Sequence, residues 1–463
     1  MVIDVHYLGE PDLEFGFSGR HQEQRKGLML HGPADIEFRS RPTTLRLGMV
    51  GRRQELDELS AWLERCASGI TARDDTNLDT LFPAFPGLHE DATFRVELEL
   101  ARETQRELTA RQIEFIEVAD GDANKIEIAA QLIATEIHML LDDADVDVVL
   151  IARPTGIPDG AAADADTIGL NFRDVLKAHC ITARVPVQVI RPRTWTGGAT
   201  VEDEATRAWN LLTALYYKCG GKPWRLARER NRRTRCYVGI SFTRADEGDQ
   251  LHTSVAQVFN ELGDGVIVRG ALARRSERDR QPHLAETDAA SLLVAALRRY
   301  REHHGNPPAE ITVHKTSSFS DEELRGFRQA ADDAELHSCD LIWVTRSDDT
   351  ILFRGSSRYP PLRGTLLALD HDHHALYTHG SVPYYKTYPG MYIPRPLGIR
   401  PAYTQRSVSE IAQEILALSK LNWNRARMDA SQPITLLTAR RVGEILRHVP
   451  ATTTPAARYA FYM

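Results

Sequence analysis

Four polar side chains between residues 173 and 218 have the types and spacing to hold an anion together. Arg173 and Lys177 lie four positions apart in "NFRDVLKAH", so a helix would place both on one face. Gln188 lies on one face of the strand-like "VPVQVI", and Lys218 ends the helical stretch "DEATRAWNLLTALYYK". Two or three cations and an amide, delivered from two helices and a strand, could bind a terminal phosphate. Taken singly, each also has a structural explanation: a solvated helix charge, a satisfied amide, or a cation at a helix C-terminus.

A second set of residues lies where nucleases that use two metal ions carry carboxylates. Ser241 lies near the end of the strand in "RCYVGISFTR", Thr316 follows the strand "EITVHK", and Arg440 lies on the last helix. Mg²⁺ prefers hard, anionic oxygen ligands. Hydroxyl groups lack that charge and an arginine repels the ion, so this set cannot form a two-metal site. Composition alone favours the alternative that these positions never bound metal.

The segment "ALDHDHHALYTHG" carries consecutive side chains of metal-ligand type. They are Asp370, His371, Asp372, His373 and His374. Neighbours on a strand point to opposite faces, and a polar group between two apolar runs is typical of a hairpin turn. We therefore predict a solvated turn here in preference to a metal site.

The tract "SKLNWN", residues 419–424, follows a tyrosine-rich stretch and combines aromatic, amide and basic side chains. This composition suits backbone contacts and stacking to nucleic acid. A structural explanation holds equally well, with Trp423 as a core residue.

Composition indicates a globular protein of two or three domains, with 463 residues of which 42% are hydrophobic and 26% charged. No apolar run has the length of a membrane helix, and the N-terminus lacks a signal-peptide pattern, so we expect no membrane contact. The five cysteines are scattered without a CxxC pair. Their scatter favours a reducing cytosol, and hence a cytoplasmic protein, over a zinc or disulfide framework.

The net charge of −7 by itself speaks mildly against nucleic-acid binding. Its distribution is uneven, because "KPWRLARERNRRTR", residues 222–235, has seven Lys/Arg and one Glu. This run is either a solvated linker face or a phosphate-facing surface, and charge alone leaves both open.

The elements that must position these residues alternate between strand and helix up to about residue 225. "TTLRLGMV", "VDVVLIA" and "VPVQVI" are predicted strands, and "RRQELDELSAWLERCASG" is a predicted amphipathic helix. Such alternation favours a parallel α/β sheet. The second half has mixed strands, then "DLIWVTR", "ILFRG" and "TLLALDHDHHALYTHG" as β-ribbons, then two helices. Capping boxes are predicted at Ser320 with Glu323 and at Ser407 with Glu410.

Several stretches together resemble the MID and PIWI halves of prokaryotic Argonautes. They are "LKAHCITARVPVQVI", "AWNLLTALYYKCGGKPWRL", "YVGISF", "ITVHKTSSFSDEELRGF", "GMYIPRPLGIR" and "SKLNWN…PITLLTARRVGEIL". They fall in family order from about residue 170 to the C-terminus, and "YYKCGGKPW" and "SKLNWN" are the most specific. The resemblance implies a linker-like leader (1–40), a Rossmann-like MID domain (41–225) and a ribonuclease-H-like PIWI domain (226–463). With no room for N and PAZ domains, the chain is similar to the short Argonautes.

The resemblance gives the first set of residues a role. In the family, a MID pocket binds the 5′-phosphate of a guide strand, and its residues map to Arg173, Lys177, Gln188 and Lys218. The carboxylate of Met463 and a Mg²⁺ ion would complete the pocket. Arg173 replaces a tyrosine often found there, which exchanges base stacking for a second charge and could alter the preference for the first nucleotide.

The resemblance also implies that Ser241, Thr316 and Arg440 replace the metal-binding acids of active Argonautes. Losing even one ligand normally destroys a two-metal site, so we expect no slicing and no enzyme activity in this chain. The loop glutamate of the family has only loosely placed candidates, Glu277 and Glu286.

The leading interpretation is thus an inactive short Argonaute that uses a small 5′-phosphorylated guide, expected to be RNA, to recognise complementary single-stranded target DNA. The family further implies a partner chain with an APAZ region fused to a TIR or sirtuin-like effector. Target recognition would switch on NAD depletion by that partner, in defence against plasmids or phage. Nothing in this sequence itself encodes NAD chemistry.

Two alternatives remain from the sequence. The first is a metal-dependent guided nuclease with a relocated site, built from Asp246, Asp249 and His252 or from Asp370 to His374. The second, weaker alternative is a small-molecule-binding α/β protein that binds no nucleic acid.

Overall fold

The protein is a mixed α/β molecule with three sheets among the residues that the computed structural model describes. These residues are 4–73, 78–89, 92–162, 169–227, 233–244, 251–259, 265–347, 350–355, 360–428, 430–450, 452–454 and 456–463. The described strands are β1 (Asp4–Tyr7), β2 (Leu13–Glu14), β3 (Arg20–His21), β4 (Thr44–Gly51), β5 (Glu97–Glu99), β6 (Gln105–Glu107), β7 (Val148–Ala152), β8 (Val187–Ile190), β9 (Arg225–Leu226), β10 (Arg235–Arg244), β11 (Leu251–Phe259), β12 (Gly265–Val268), β13 (Leu272–Arg275), β14 (Pro282–His283), β15 (Glu310–Lys315), β16 (Ser338–Arg346), β17 (Thr365–Ala368), β18 (His374–Leu376) and β19 (Leu397–Tyr403).

Helices cover the faces of the sheets. The described α-helices are α1 (Gln24–His31), α2 (Arg53–Ser68), α3 (Ala110–Glu117), α4 (Gly121–Asp143), α5 (Phe172–His179), α6 (Arg193–Thr196), α7 (Glu204–Lys218), α8 (Glu286–His304), α9 (Asp321–Asp333), α10 (Val408–Leu418) and α11 (Ile434–Leu446). Short 3₁₀ turns lie at Gly16–Ser18, Arg102–Thr104, Pro383–Tyr385 and Tyr459–Phe461. Both predicted capping boxes are confirmed, at Ser320 with Glu323 and at Ser407 with Glu410.

The first half contains a parallel sheet between two helical layers. Its strand order is β5-β4-β7-β8, with β6 also paired to β4, and every pairing is parallel. Side chains alternate across β7: Val148 and Leu150 pack in the core that contains α2 and α7, whereas Val149 and Ile151 pack in the core that contains α4 and α5. Because both faces are buried, the strand is apolar throughout. The parallel α/β arrangement predicted here is confirmed.

The second half is built on a large mixed sheet. Its centre consists of three parallel strands, β10, β15 and β16, in which Ile240 lies beside Lys315. Antiparallel strands extend this centre on both sides, in the order β1-β17-β18-β19-β16-β15-β10-β11-β13-β14, with β12 paired to β11. The core under α8 and α9 takes Val238 and Val313, and α10 packs on β16 and β19.

The helix α11 lies directly on β10. An ideal Cβ on Gly239 would be 2.1 Å from the carbonyl oxygen of Thr435, so only glycine allows this close approach. Residues on the same side of the neighbouring strand also meet α11, because His314 Nδ1 lies 3.0 Å from Thr435 Oγ1. This contact fixes where the residues of α11 lie relative to the ends of β10 and β15.

The described part of the leader, residues 4–40, pairs with strands of both halves. β1 pairs with β17 of the large sheet, and β2 pairs with β3 and β9. Glu10 is buried in ion pairs with Arg363 (2.9 Å) and Lys420 (3.0 Å).

Predictions in the β-ribbon region had mixed outcomes. β17 and β18 form the expected hairpin around "DHDHH". "ILFRG" (351–355) is not a strand, so that prediction is wrong; the amide of Leu352 instead donates to Tyr377 Oη at 2.7 Å.

Candidate anion-binding site

The predicted phosphate-binding residues come from elements whose other faces are buried in the core. Asn171 caps α5, where Phe172, Val175 and Leu176 pack inward. This packing turns Arg173 and Lys177, one helical turn apart, towards the C-terminal residues of the chain. Lys218 is the last residue of α7 and is also buried.

The three cations converge on the main chain of residues 460–463. Lys177 Nζ donates to the carbonyl of Phe461 at 3.0 Å and to that of Val187 at 2.9 Å. Lys218 Nζ donates to the carbonyl of Ala460 and to a main-chain oxygen of Met463, both at 2.9 Å. The Arg173 guanidinium donates to the carbonyl of Tyr462. The structure therefore brings Arg173, Lys177, Lys218 and Met463 together.

Gln188 adjoins this group through β8, where it follows Val187. Its Nε2 donates to the carbonyl of Val189 at 3.1 Å. Its Oε1 is buried and has no hydrogen-bond partner among the described residues. A buried acceptor without a donor is costly, so this oxygen is suited to a ligand group or an ion.

The electrostatics of the site favour an anion. Lys177 and Lys218 are 2% and 1% exposed, and the side chain of Arg173 is 29% exposed. Burial holds the pKa of Lys177 well below its ordinary value, and the charges of Lys218 and Arg173 lower it further. Burial and the charge of Arg173 likewise lower the pKa of Lys218. A bound anion would reverse both effects, because it stabilises the charged forms.

Two residues that the sequence analysis did not single out also belong to this region. Arg441 on α11 lowers the pKa values of Arg173 and Lys218 through its positive charge. Tyr459 is 1% exposed, and burial raises the pKa of its hydroxyl although Arg441 and Arg173 act in the opposite direction. The packing of α11 against α5 creates this proximity, and the only available signal was the adjacency of Arg441 to Arg440.

The strand-end set, which consists of Ser241, Thr316 and Arg440, differs from the anion-binding residues. Ser241 is 4% exposed on β10, and the amide of Thr316 donates to the carbonyl of Ile240 at 3.2 Å, so the two positions lie side by side. Alternation along the two strands places both on the side that α11 covers. Arg440 on α11 lies 4.0 Å from Glu444, and both side chains are 43% exposed. The glutamate candidates are separate: Glu286 pairs with Arg325 at 2.8 Å, and Glu277 is exposed.

No group of three or more metal-ligating side chains converges among the described residues. The polar clump from Asp370 to His374 forms the turn of the β17–β18 hairpin, as predicted, with the amide of Asp370 donating to the carbonyl of His373 at 3.2 Å. Of the other relocated-site candidates, Asp246 and Asp249 lie outside the described residues, and only the backbone of His252 is described.

Trp423 is a core residue. It is 1% exposed, stacks on Tyr217 with ring centroids 4.5 Å apart, and donates from Nε1 to the carbonyl of Trp224 at 3.2 Å. The structural explanation is therefore correct for this tryptophan. Among the described residues, none of the helices has the length and apolar character required to span a bilayer.

Comparison with solved structures reveals the fold. The chain is similar to the Argonaute of Clostridium butyricum, solved bound to a guide DNA with a 5′ deoxycytidine and a 19-mer target DNA, with a TM-score of 0.68 and 15% identity over 97% of this chain and 54% of that one. It is also similar to Aa-Ago, solved with an externally bound siRNA, with a TM-score of 0.59 and 15% identity over 98% of this chain and 55% of that one. The chain thus spans about half the length of either neighbour.

Comparisons of sequence found no match, either to a family model or to a curated protein. The resemblance seen in the sequence and the similarity of the structure nevertheless agree on the same group of proteins. The chain has the fold of prokaryotic Argonaute proteins over nearly its whole length.

Proposed function

We propose that this chain is a short Argonaute that holds a small guide strand by its 5′-phosphate and uses it to recognise complementary nucleic acid. The observation that carries the proposal is the convergence of three cations, two of them buried lysines, at the C-terminal residues. Both structural neighbours were solved with nucleic acid. We assign residues 1–40 to a linker-like leader, 41–225 to a Rossmann-like MID domain and 226–463 to a ribonuclease-H-like PIWI domain.

Each residue of the site has a role in phosphate binding. The ammonium groups of Lys177 and Lys218 can turn from main-chain carbonyls to phosphate oxygens, which accept stronger, charge-assisted hydrogen bonds. The planar fork of Arg173 suits a second pair of phosphate oxygens. The phosphate would lower the free-energy cost of burying these charges. Guide binding should therefore stabilise the folded protein.

A Mg²⁺ ion is part of the proposal. The buried Oε1 of Gln188 and the carboxylate of Met463 are hard oxygen ligands of the kind that Mg²⁺ takes, so the residues fit the ion when phosphate oxygens complete its shell. The ion would supply positive charge to the guide phosphates. The lysines and Arg173 would hold the terminal phosphate whether or not the ion is bound.

We further propose that the chain does not cut its target. Ser241 and Thr316 would provide uncharged oxygens at the strand ends, and Arg440 would repel a metal ion. The relocated-site alternative has its described candidates, Asp370 to His374, in a hairpin turn, and this placement gives it no support.

The remaining elements of the proposal concern partners. The guide is RNA and the target is single-stranded DNA, read by base pairing while the protein contacts backbone. An APAZ-containing chain with a TIR or sirtuin-like effector domain is the partner that target recognition switches on, in the cytoplasm, to deplete NAD during defence against plasmids or phage.

The proposal is tested by binding of matched oligonucleotides that differ only in the 5′ group. A 5′-phosphorylated RNA guide should bind more tightly than its 5′-hydroxyl counterpart, and Lys177→Met with Lys218→Met should remove the difference. Lys26→Met, at an exposed position on α1, is the matched control and should change nothing. Equal affinity for both oligonucleotides in the wild-type chain would refute the phosphate site, and a parallel DNA guide series identifies the preferred sugar. Absence of any binding would favour the small-molecule alternative.

A further inference from the structure

The helical pair α3 and α4 presents an apolar groove on its outer surface. Ile113 and Ile116 anchor α3 in the core beneath. On the other side, Phe115 and Val118 are 58% and 72% exposed. With Leu132 of α4 they line a cavity of about 430 Å³. Large apolar side chains that are this exposed and contiguous mark a binding surface more often than isolated ones do.

The helical pair that carries the groove has a net negative charge. Residues 110–143 contain two Arg/Lys and eight Asp/Glu, so this helical pair carries six of the seven net negative charges of the whole chain. Arg111 and Glu114 both line the groove, and Glu136 lies beside it, where its carboxylate accepts a hydrogen bond of 2.7 Å from the groove residue Gln112. Arg52 and Arg106 offset two of the acids by pairing with Glu117 and Asp143, so a net negative charge remains on the pair. One face of the molecule therefore combines an apolar centre with an acidic surround.

We propose that this groove binds an amphipathic helix with basic flanking residues from a partner protein. The apolar face of such a helix would cover Phe115, Val118 and Leu132, as in other helix-in-groove complexes, and its Lys or Arg residues would meet the acidic surround. A nucleic-acid backbone would be repelled by the same charge, and a second copy of this face would bring like charges together. The proposal goes beyond guide binding, because it concerns a protein contact that uses none of the phosphate-site residues.

The test measures binding of labelled model helices to the full chain by fluorescence anisotropy. The probe is a Leu/Lys peptide of about five helical turns with its leucines on one face. Two comparison peptides have the same length: a Leu/Glu peptide with the same pattern, and a Leu/Lys peptide with the pattern scrambled. The patterned Leu/Lys peptide should bind, with an affinity that falls as salt is added, and the other two should bind at least about tenfold more weakly.

Variants locate the contact. Phe115→Ser with Val118→Ser should weaken binding of the patterned peptide at least about tenfold, because two apolar anchors are lost. Glu114→Lys should weaken it by a smaller factor. Val294→Ser on α8, which is 55% exposed, is the matched control and should leave binding unchanged. Thermal melting by circular dichroism checks that each variant is folded, and unchanged guide affinity in the double variant separates this test from the phosphate site.

The outcomes that overturn the proposal are distinct. Failure of the patterned Leu/Lys peptide to bind, equal binding of the Leu/Glu peptide, or undiminished binding by the double variant would each refute it. A concentration-dependent dimer that the double variant loses, seen by sedimentation of the free chain, would identify a second copy as the occupant instead.

Discussion

The candidate anion site and the strand-end set meet at two neighbouring residues of α11, Arg441 and Arg440, but they differ in charge. Arg441 adds its charge to a region with Arg173, Lys177 and Lys218, where two lysines are buried almost completely. Arg440, its neighbour, lies at 43% exposure beside Glu444, on the helix that covers Ser241 and Thr316. One region keeps cations away from water, and the other presents the hydroxyl groups of Ser241 and Thr316 at the strand ends.

This difference shows which region has an unfavourable burial of charge that a bound ligand could offset. The ammonium groups of Lys177 and Lys218 are buried against main-chain oxygens, and among the described residues no side-chain carboxylate forms an ion pair with either, which destabilises the free protein. Hydroxyl groups at the ends of β10 and β15 carry no such cost. A region that keeps an unfavourable charge is a better indicator of binding than one whose side chains are uncharged hydroxyls.

The largest effect expected is the loss of phosphate recognition on removal of the two lysines. Each charge-assisted hydrogen bond contributes about 1.5–3 kcal/mol, so Lys177→Met with Lys218→Met should weaken binding of a 5′-phosphorylated guide by about a hundredfold or more. Filter binding against the 5′-hydroxyl guide measures the change. If both guides lost affinity equally, the lysines would act through the fold and not through the phosphate.

The next effect concerns the helix that the two regions share. Gly239→Ala places a methyl group against the carbonyl of Thr435, so α11 must shift, and we expect a loss of about 1–3 kcal/mol in the free energy of unfolding. Gly355→Ala is the control, because its added methyl group meets nothing within 4 Å. Urea unfolding measures both variants. An unchanged midpoint for Gly239→Ala would contradict the close packing of α11 on β10.

The affinity for a 5′-phosphorylated guide should depend on pH, which would further distinguish the anion site from the strand-end set. The pKa values of Lys177 and Lys218 are lowered in the free protein, and a bound phosphate raises them, so binding takes up protons. From about pH 8 upward the guide phosphate is almost fully ionised, and the affinity for it should fall as pH rises, by up to about tenfold per pH unit for each proton taken up. The 5′-hydroxyl guide provides the control, and it should show a flat profile. A phosphate affinity independent of pH would show that the free lysines are already charged.

The smallest effect is expected at the strand ends. Wild-type protein loaded with guide should release no product from a labelled target in Mg²⁺ or Mn²⁺, because among the described residues no group of metal-ligating side chains converges at the strand ends. Thr316→Ala should change guide affinity by less than about twofold, since an exposed hydroxyl contributes little. Cleavage that Asp370→Ala abolished would instead establish the relocated nuclease site.

The sequence predicted local features of the site better than distant ones. The spacing of Arg173 and Lys177 places them together because helical periodicity alone determines it. The parallel strands β4, β7 and β8 were readable from apolar runs. The proximity of Arg441 to Lys218 was not, because it depends on how α11 packs against elements more than two hundred residues away.

The strand pairings of the leader could not be predicted from the sequence either. β1 reads as four residues of mixed polarity, all exposed, and only the register with β17 makes them a strand. The "ILFRG" prediction was wrong for the related reason that strand propensity needs a partner: the backbone there is held by Tyr377 and not by a neighbouring strand.

The short strand β2 stabilises the connection between the two halves, which runs from α7 to β10. It pairs with β9, which lies between α7 and β10, and Glu14 forms an ion pair with Arg225 on that strand. Next to it, Trp224 donates to the carbonyl of Lys420 at 3.0 Å, and Lys420 is tied to Glu10. Swinging one half against the other would have to break these contacts together. Amide hydrogens around Trp224 to Leu226 should accordingly exchange slowly with deuterium, and the halves should tumble in solution as one body.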